Sequence, residues 1–215
     1  MRDARGTSPS GGDDDRTPAP RRRLALFGVV AVLAYGLDQV TKWLAVEHLT
    51  GRDDIELVGE LLQLRLIRNP GAAWGLGSDY TWIFTCLAIA AVGVVIAVLP
   101  RVRSRVWAWA LGLLAAGVVG NLTDRVFREP STFHGHVVDF LMLPNWPIFN
   151  VADMSLNAAV VLILLQTLRG IGLDGEKIDD HEPAPDTPDT PAESAPSTGA
   201  GATGSVDDAG RGSEQ

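Results

Sequence analysis

The 215-residue chain contains one cysteine, two tyrosines and three methionines. Cys86 has no second thiol to pair with, which excludes an intrachain disulfide and a CxxC metal site. Its position inside an apolar run predicts a small buried side chain. Basic residues are also few, 18 against 26 acidic, and they form no basic face of the kind nucleic acid requires. The formal net charge of −8 belongs to the ends of the chain. From Asp174 onward 11 acidic residues face 2 basic ones, and residues 1–23 carry 6 basic and 4 acidic. The body from Leu24 to Leu173 is nearly neutral, with 10 basic against 11 acidic residues. What that body has in quantity is hydrophobic sequence.

The apolar residues gather in four runs: Leu24–Ala45, Thr81–Leu99, a third that begins at Val106 and passes Gly120, and Val151–Leu168. A helix needs about 20 apolar residues to cross a hydrocarbon layer roughly 30 Å thick, and each run is of that order. The first follows Arg21, Arg22 and Arg23 as a secretory signal would. It exceeds the roughly 7–15 apolar residues of such a segment, and no small-x-small cleavage site closes it. Pro100 stops the second run. In the third, Gly112, Ala116 and Gly120 form a small-xxx-small ladder for close helix contact. Residues 1–23, rich in Gly, Ser, Pro and Asp, predict a disordered leader, and 170–215 a disordered acidic tail. Arg21–Arg23, the Arg101–Arg105 loop and Arg169 with Lys177 place an excess of cations on one side, so both termini are expected in the cytoplasm. The expectation is an all-α integral membrane protein in which residues 24–169 form a four-span domain.

One stretch outside the spans has a different period. Leu62, Leu64 and Leu66 alternate with Gln63 and Arg65, the period of a strand. Asn69-Pro70-Gly71 supplies a turn, and Ala72 to Gly75 can return as a partner. The spacing predicts a small extracytoplasmic β-hairpin or cradle whose apolar face lies on the membrane. Gly71, with Ala72 and Ala73, leaves room for a ligand backbone to approach.

Polar residues within or beside hydrocarbon are costly and are functional candidates by default. Asp38 and Lys42 are four apart with the acid first, a favourable helical pair, and Lys42 is expected to snorkel toward the interface. Asn121 and Asp124 share a face at the end of the third run. Arg125 is available for a carboxylate or a substrate carbonyl. From His134 to Asn157 two carboxylates, Asp139 and Asp153, stand in apolar company with no local cation. If they meet, they share a proton and can act together as base and acid in hydrolysis. If they do not, each is a separate cap or interfacial anchor, Asn150 being a natural N-cap with Asp153 in the first turn after it.

Five blocks in chain order then carry a resemblance: Asp38-Gln39-x-x-Lys42, Asn69-x-Gly71-Ala72-Ala73, Gly120-Asn121-x-x-Asp124-Arg125, Val137-Val138-Asp139-Phe140 and Phe149-Asn150-x-Ala152-Asp153. Over about Leu24 to Leu168 the chain resembles the lipoprotein signal peptidases of bacteria, signal peptidase II. Trp74 departs from the Phe common there. The resemblance implies a membrane aspartic endopeptidase without cofactor or metal, acting on prolipoproteins whose cysteine already carries diacylglycerol, with membrane lipid as its other partner. It implies Asp139 and Asp153 as the catalytic pair. Asn69, Asn121, Arg125 and Asn150 would be polar residues of the site, and Asp38 with Lys42 supporting ones. Asp124 and Gly71 fall within the matching blocks.

Two other readings compete. Intramembrane Asp and Lys also mark proton-coupled transporters, although here the polar residues cluster at one face and no inverted repeat is visible. His134, His136 and Asp139 suggest a zinc hydrolase, which would have to borrow a further ligand and a base.

Overall fold

The computed structural model describes residues 19–71, 77 and 80–178, and among them four helices are long and apolar enough to cross a membrane. They are α1 (Ala19–Leu49), α2 (Thr81–Val98), α3 (Arg105–Phe127) and α4 (Val151–Leu168). Three short strands, β1 (Ile55–Val58), β2 (Leu62–Asn69) and β3 (Val137–Met142), make an antiparallel sheet in the order β1-β2-β3. Helix α3 packs against each of the other three, and its glycines explain how closely. A Cβ on Gly117 would lie 2.6 Å from the Ala152 carbonyl and Leu156, and one on Gly120 would lie 2.5 Å from an Asp38 carboxylate oxygen. The small-residue ladder is therefore the seam of α3 with α1, and Gly117 beside it is the seam with α4. Elsewhere the helices turn large apolar side chains outward, among them Val32, Leu33, Ile96 and Leu164, as hydrocarbon solvent favours.

Three expectations need correcting. Helix α1 begins at Ala19, inside the expected leader, and runs one turn past Ala45 to Leu49. That added turn covers the sheet: Leu64 and Leu66 pack with Ala45, Leu49, Val138 and Phe140, so this apolar face of β2 lies on protein. Cys86 is exposed on α2, because α2 buries only Thr81, Thr85 and Val95 and leaves the rest of its apolar surface outward.

At the opposite end of the bundle the chain after α4 does not leave at once. The backbone N–H groups of Arg103 and Ser104 donate to the Leu173 carbonyl (2.9 and 3.3 Å), and the Trp107 indole donates to Ile171 (3.1 Å). Leu173 joins the cluster of Val102, Ala108 and Leu111. Structure thus continues past the tail boundary expected at residue 170. The Arg23 guanidinium donates to the Arg103 carbonyl (2.9 Å), so the three segments rich in arginine and lysine gather at this one end. The Ala72–Gly75 return strand expected after the Asn69 turn lies outside the described residues. The observed partners of β2 are β1 and β3.

Candidate active site

The sheet and the first turn of α4 bring the two candidate carboxylates together. A β-bulge shifts the register of β2 between Leu64 and Ile67, after which Ile67 stands opposite Asp139 and Asn69 opposite Val137. Bulges commonly re-aim side chains beside sites. Here the Asn69 amide donates to Asp139 Oδ2 at 2.9 Å. Asn150 is the N-cap of α4, and its side chain and that of Asp153 form a reciprocal capping box, which satisfies two otherwise orphaned backbone donors.

Asn150, fully buried, contacts both acids. Its amide nitrogen donates to Asp139 Oδ1 at 2.7 Å, and its backbone N–H donates to Asp153 Oδ2 at 3.0 Å. Asp153 Oδ1 accepts from the Asn121 amide at 2.9 Å. The helix cap left open by the sequence is present, and the same Asp153 lines one cavity with Asp139. Burial, with the Asp153 charge nearby, pushes the Asp139 carboxyl up to about 7 against the pull of the Asn69 and Asn150 hydrogen bonds. A like charge and desolvation both favour the neutral acid.

That cavity, about 550 Å³, is bounded by Phe84, Leu87, Ala88 and Ala91 of α2, Val118, Asn121 and Arg125 of α3, and Asp153 and Leu156 of α4. One wall is thus the apolar surface of spanning helices and the other is polar. Arg125 donates to the carbonyls of Gly71 (2.7 Å) and Pro70 (3.3 Å) and lies 5.3 Å from the centre of the Phe84 ring. Neither alternative raised for it, a carboxylate or a substrate carbonyl, describes these contacts, since its forked donors hold the chain's own turn. Thr81 supports the same turn through the Pro70 carbonyl (2.8 Å).

Asp38, Lys42 and Asp124 do not line the cavity. They form a buried knot behind it. The Lys42 ammonium, entirely buried, lies 3.0 Å from Asp38, 2.9 Å from Asp124 and 2.9 Å from Asn121 Oδ1. The expected snorkelling does not occur, because two carboxylates offer this cation more than the interface does. Asp38 also accepts the Ala152 N–H of α4 (2.8 Å). Asp124 also binds Arg128 and the Val138 N–H of β3. The knot therefore joins α1, α3, α4 and the sheet. It also sets the site: with its oxygen accepting from Lys42 and Asn150, Asn121 turns its nitrogen toward Asp153. Among the described residues no buried side-chain nitrogen or oxygen lacks a partner.

Sequence reasoning missed Phe84 and the Trp146–Phe149 segment as walls of this cavity. The helix residue gives no signal in a run that is apolar throughout. The segment is placed by the pairing of Phe149 with Leu141, which backbone hydrogen bonds of 2.9 and 3.0 Å secure.

Residues 30–169 match the family described as Signal peptidase (SPase) II. The chain is 48% identical over 163 residues to a lipoprotein signal peptidase of Leifsonia xyli, covering 75% of this chain and 76% of that one. It is 40% identical over 169 residues to one of Rhodococcus jostii, covering 79% and 85%. A bacterial membrane enzyme solved in meso at 1.9 Å superposes with a TM-score of 0.60 at 31% identity, covering 68% of this chain and 94% of that one. With four spans and this match over most of its folded part, the chain belongs to the signal peptidase II family.

Proposed function

We propose that the protein is the membrane aspartic endopeptidase that removes signal peptides from diacylglyceryl-modified prolipoproteins, cleaving before the modified cysteine, with Asp139 and Asp153 as its catalytic pair. The observation that carries the reading is Asn150. One buried residue, donating to both carboxylates, fixes them around one cavity that borders the spanning helices.

Asp139, raised to about 7, supplies the proton, and Asp153 the base. Asp153 takes a proton from water as its oxygen attacks the scissile carbonyl carbon. Asp139 protonates the carbonyl oxygen, and on collapse of the gem-diol the C–N bond breaks as the amine takes the proton held by Asp153, while a hydroxyl proton returns to Asp139. No covalent intermediate forms. The apolar wall of Leu87, Ala88, Ala91 and Leu156 suits the signal segment and the acyl chains, which can enter from the bilayer. Burial of those chains, about 0.8 kcal/mol per CH₂ relative to water, anchors the substrate without choosing the bond. The gathering of cationic segments at the far end of the bundle supports cytoplasmic termini and an extracytoplasmic site.

The test is cleavage by the purified protein of a prolipoprotein with and without its diacylglyceryl group. The modified precursor should be cut before cysteine and the unmodified one left intact. Equal cleavage of both, or of neither, refutes the assignment.

A further inference from the structure

A second cleft of about 710 Å³ adjoins the cavity at the aspartates. The two share Asn69, Trp146, Pro147 and Ile148, so the second begins at the residue that donates to Asp139. Their walls differ in kind. The first is lined largely by spanning helices. The second is lined entirely by residues 56–70 and 142–148, the sheet and the loop after it, with no helix contributing. Gln63, Ile67 and Asn145 line it together with Glu56, Glu60, Arg65 and Arg68. Arg65 is braced by Asp54 at 2.9 Å. Its volume lies within the range of about 300–1,000 Å³ usual for specific ligand sites.

The chemistry of the proposed reaction, on which this inference rests, assigns an occupant. Three branches meet at the bond to be cut: the signal segment, the acyl chains on the cysteine, and the polypeptide that follows it. The first two are soluble in hydrocarbon and belong against the spanning helices. The third is a polar chain whose backbone groups need partners, and the sheet cleft is the continuation of the site that offers them. We propose that this cleft binds the first residues of the mature polypeptide, those just after the modified cysteine, in extended form. Amides at Gln63 and Asn145 and charges of both signs suit backbone recognition over any one side-chain type. Such a cleft serves an enzyme whose substrates differ after the cut.

Two diacylglyceryl prolipoproteins with the same signal sequence test this, one ending at the modified cysteine and one continuing for about six residues, roughly 20 Å of extended chain. The longer should show a kcat/KM about tenfold higher, about 1.4 kcal/mol, expressed mainly in KM. In Gln63→Ala and in Ile67→Trp, which fills the cleft, the ratio should fall toward one. Equal cleavage of the two substrates by the parent protein overturns the cleft assignment while leaving the protease reading intact, as does a ratio unchanged in both variants. Cleavage of neither substrate overturns the protease reading and the cleft with it.

Discussion

Replacing Lys42 by Met isolates the buried knot. The substitution keeps the unbranched stem of the side chain and deletes the terminal ammonium, which touches Asp38 at 3.0 Å, Asp124 at 2.9 Å and Asn121 at 2.9 Å. Removing one member of a buried ion pair typically costs about 3–5 kcal/mol, because its partner stays behind as an uncompensated charge. Two carboxylates are left behind here, but neither is bare. Asp38 keeps donors from Gln39 and Ala152, and Asp124 keeps Arg128 and the Val138 N–H. The loss should therefore fall at the lower end, about 3 kcal/mol. Lys42→Met with Asp38→Asn removes both charges of one pair and should be less destabilised than Lys42→Met alone, a coupling of about 0.5–3 kcal/mol. Unfolding in detergent, followed through the six tryptophans, measures the parent, Lys42→Met, Asp38→Asn and the double variant. Activity should fall as well, since Asn121 loses the donor that turns its amide toward Asp153. A Lys42→Met protein within about 0.5 kcal/mol of the parent, or strictly additive losses in the double variant, would refute the account of the knot.

Asp139→Asn and Asp153→Asn should each abolish cleavage with the protein still inserted, and the double variant should be no worse than either, as members of one unit are not additive. The pH dependence of stability carries its own sign. Folded Asp139 holds its proton up to about pH 7, whereas its ordinary value is 3.8, so the native state binds more protons across that window. Its contribution is complete below about pH 4 and is lost as pH rises toward 7. The stability of the parent should fall relative to Asp139→Asn as pH rises from about 4 to 7, because the amide stays neutral like the protonated acid and does not titrate, and cleavage should decline above that window. Gly120→Ala places a methyl 2.5 Å from an Asp38 oxygen and should cost about 1–3 kcal/mol in a melting experiment. Ending the chain after Ile178 should leave turnover nearly unchanged, whereas ending it before Ile171 should lower the melting temperature by removing Leu173 and the contacts to Arg103, Ser104 and Trp107.

The polar residues were legible in the sequence and the packing was not, and one cause explains both. In a span of uniform apolarity no periodic stripe marks the inward face, so nothing in Thr81–Val98 distinguished Phe84 at the cavity from Cys86 turned away from the protein. The i,i+4 spacing put Asp38 and Lys42 on one face but could not say that this face meets α3, and for that reason snorkelling was expected where burial occurs. Strand β2 announced itself by alternation. Its partner β3 lies some seventy residues later in a stretch with no clear period, and such non-local pairing leaves no local mark. Solvent that cannot hydrogen-bond leaves buried polar groups no other outlet than one another. Asp38, Lys42, Asn121, Asp124, Asn150 and Asp153, scattered over more than a hundred positions, accordingly close into one bonded network. Asp139 joins it from the sheet through Asn150. The same constraint that makes each of these residues conspicuous in the sequence also forces them together in the fold, and the candidate site stands where the network reaches open space beside the apolar wall.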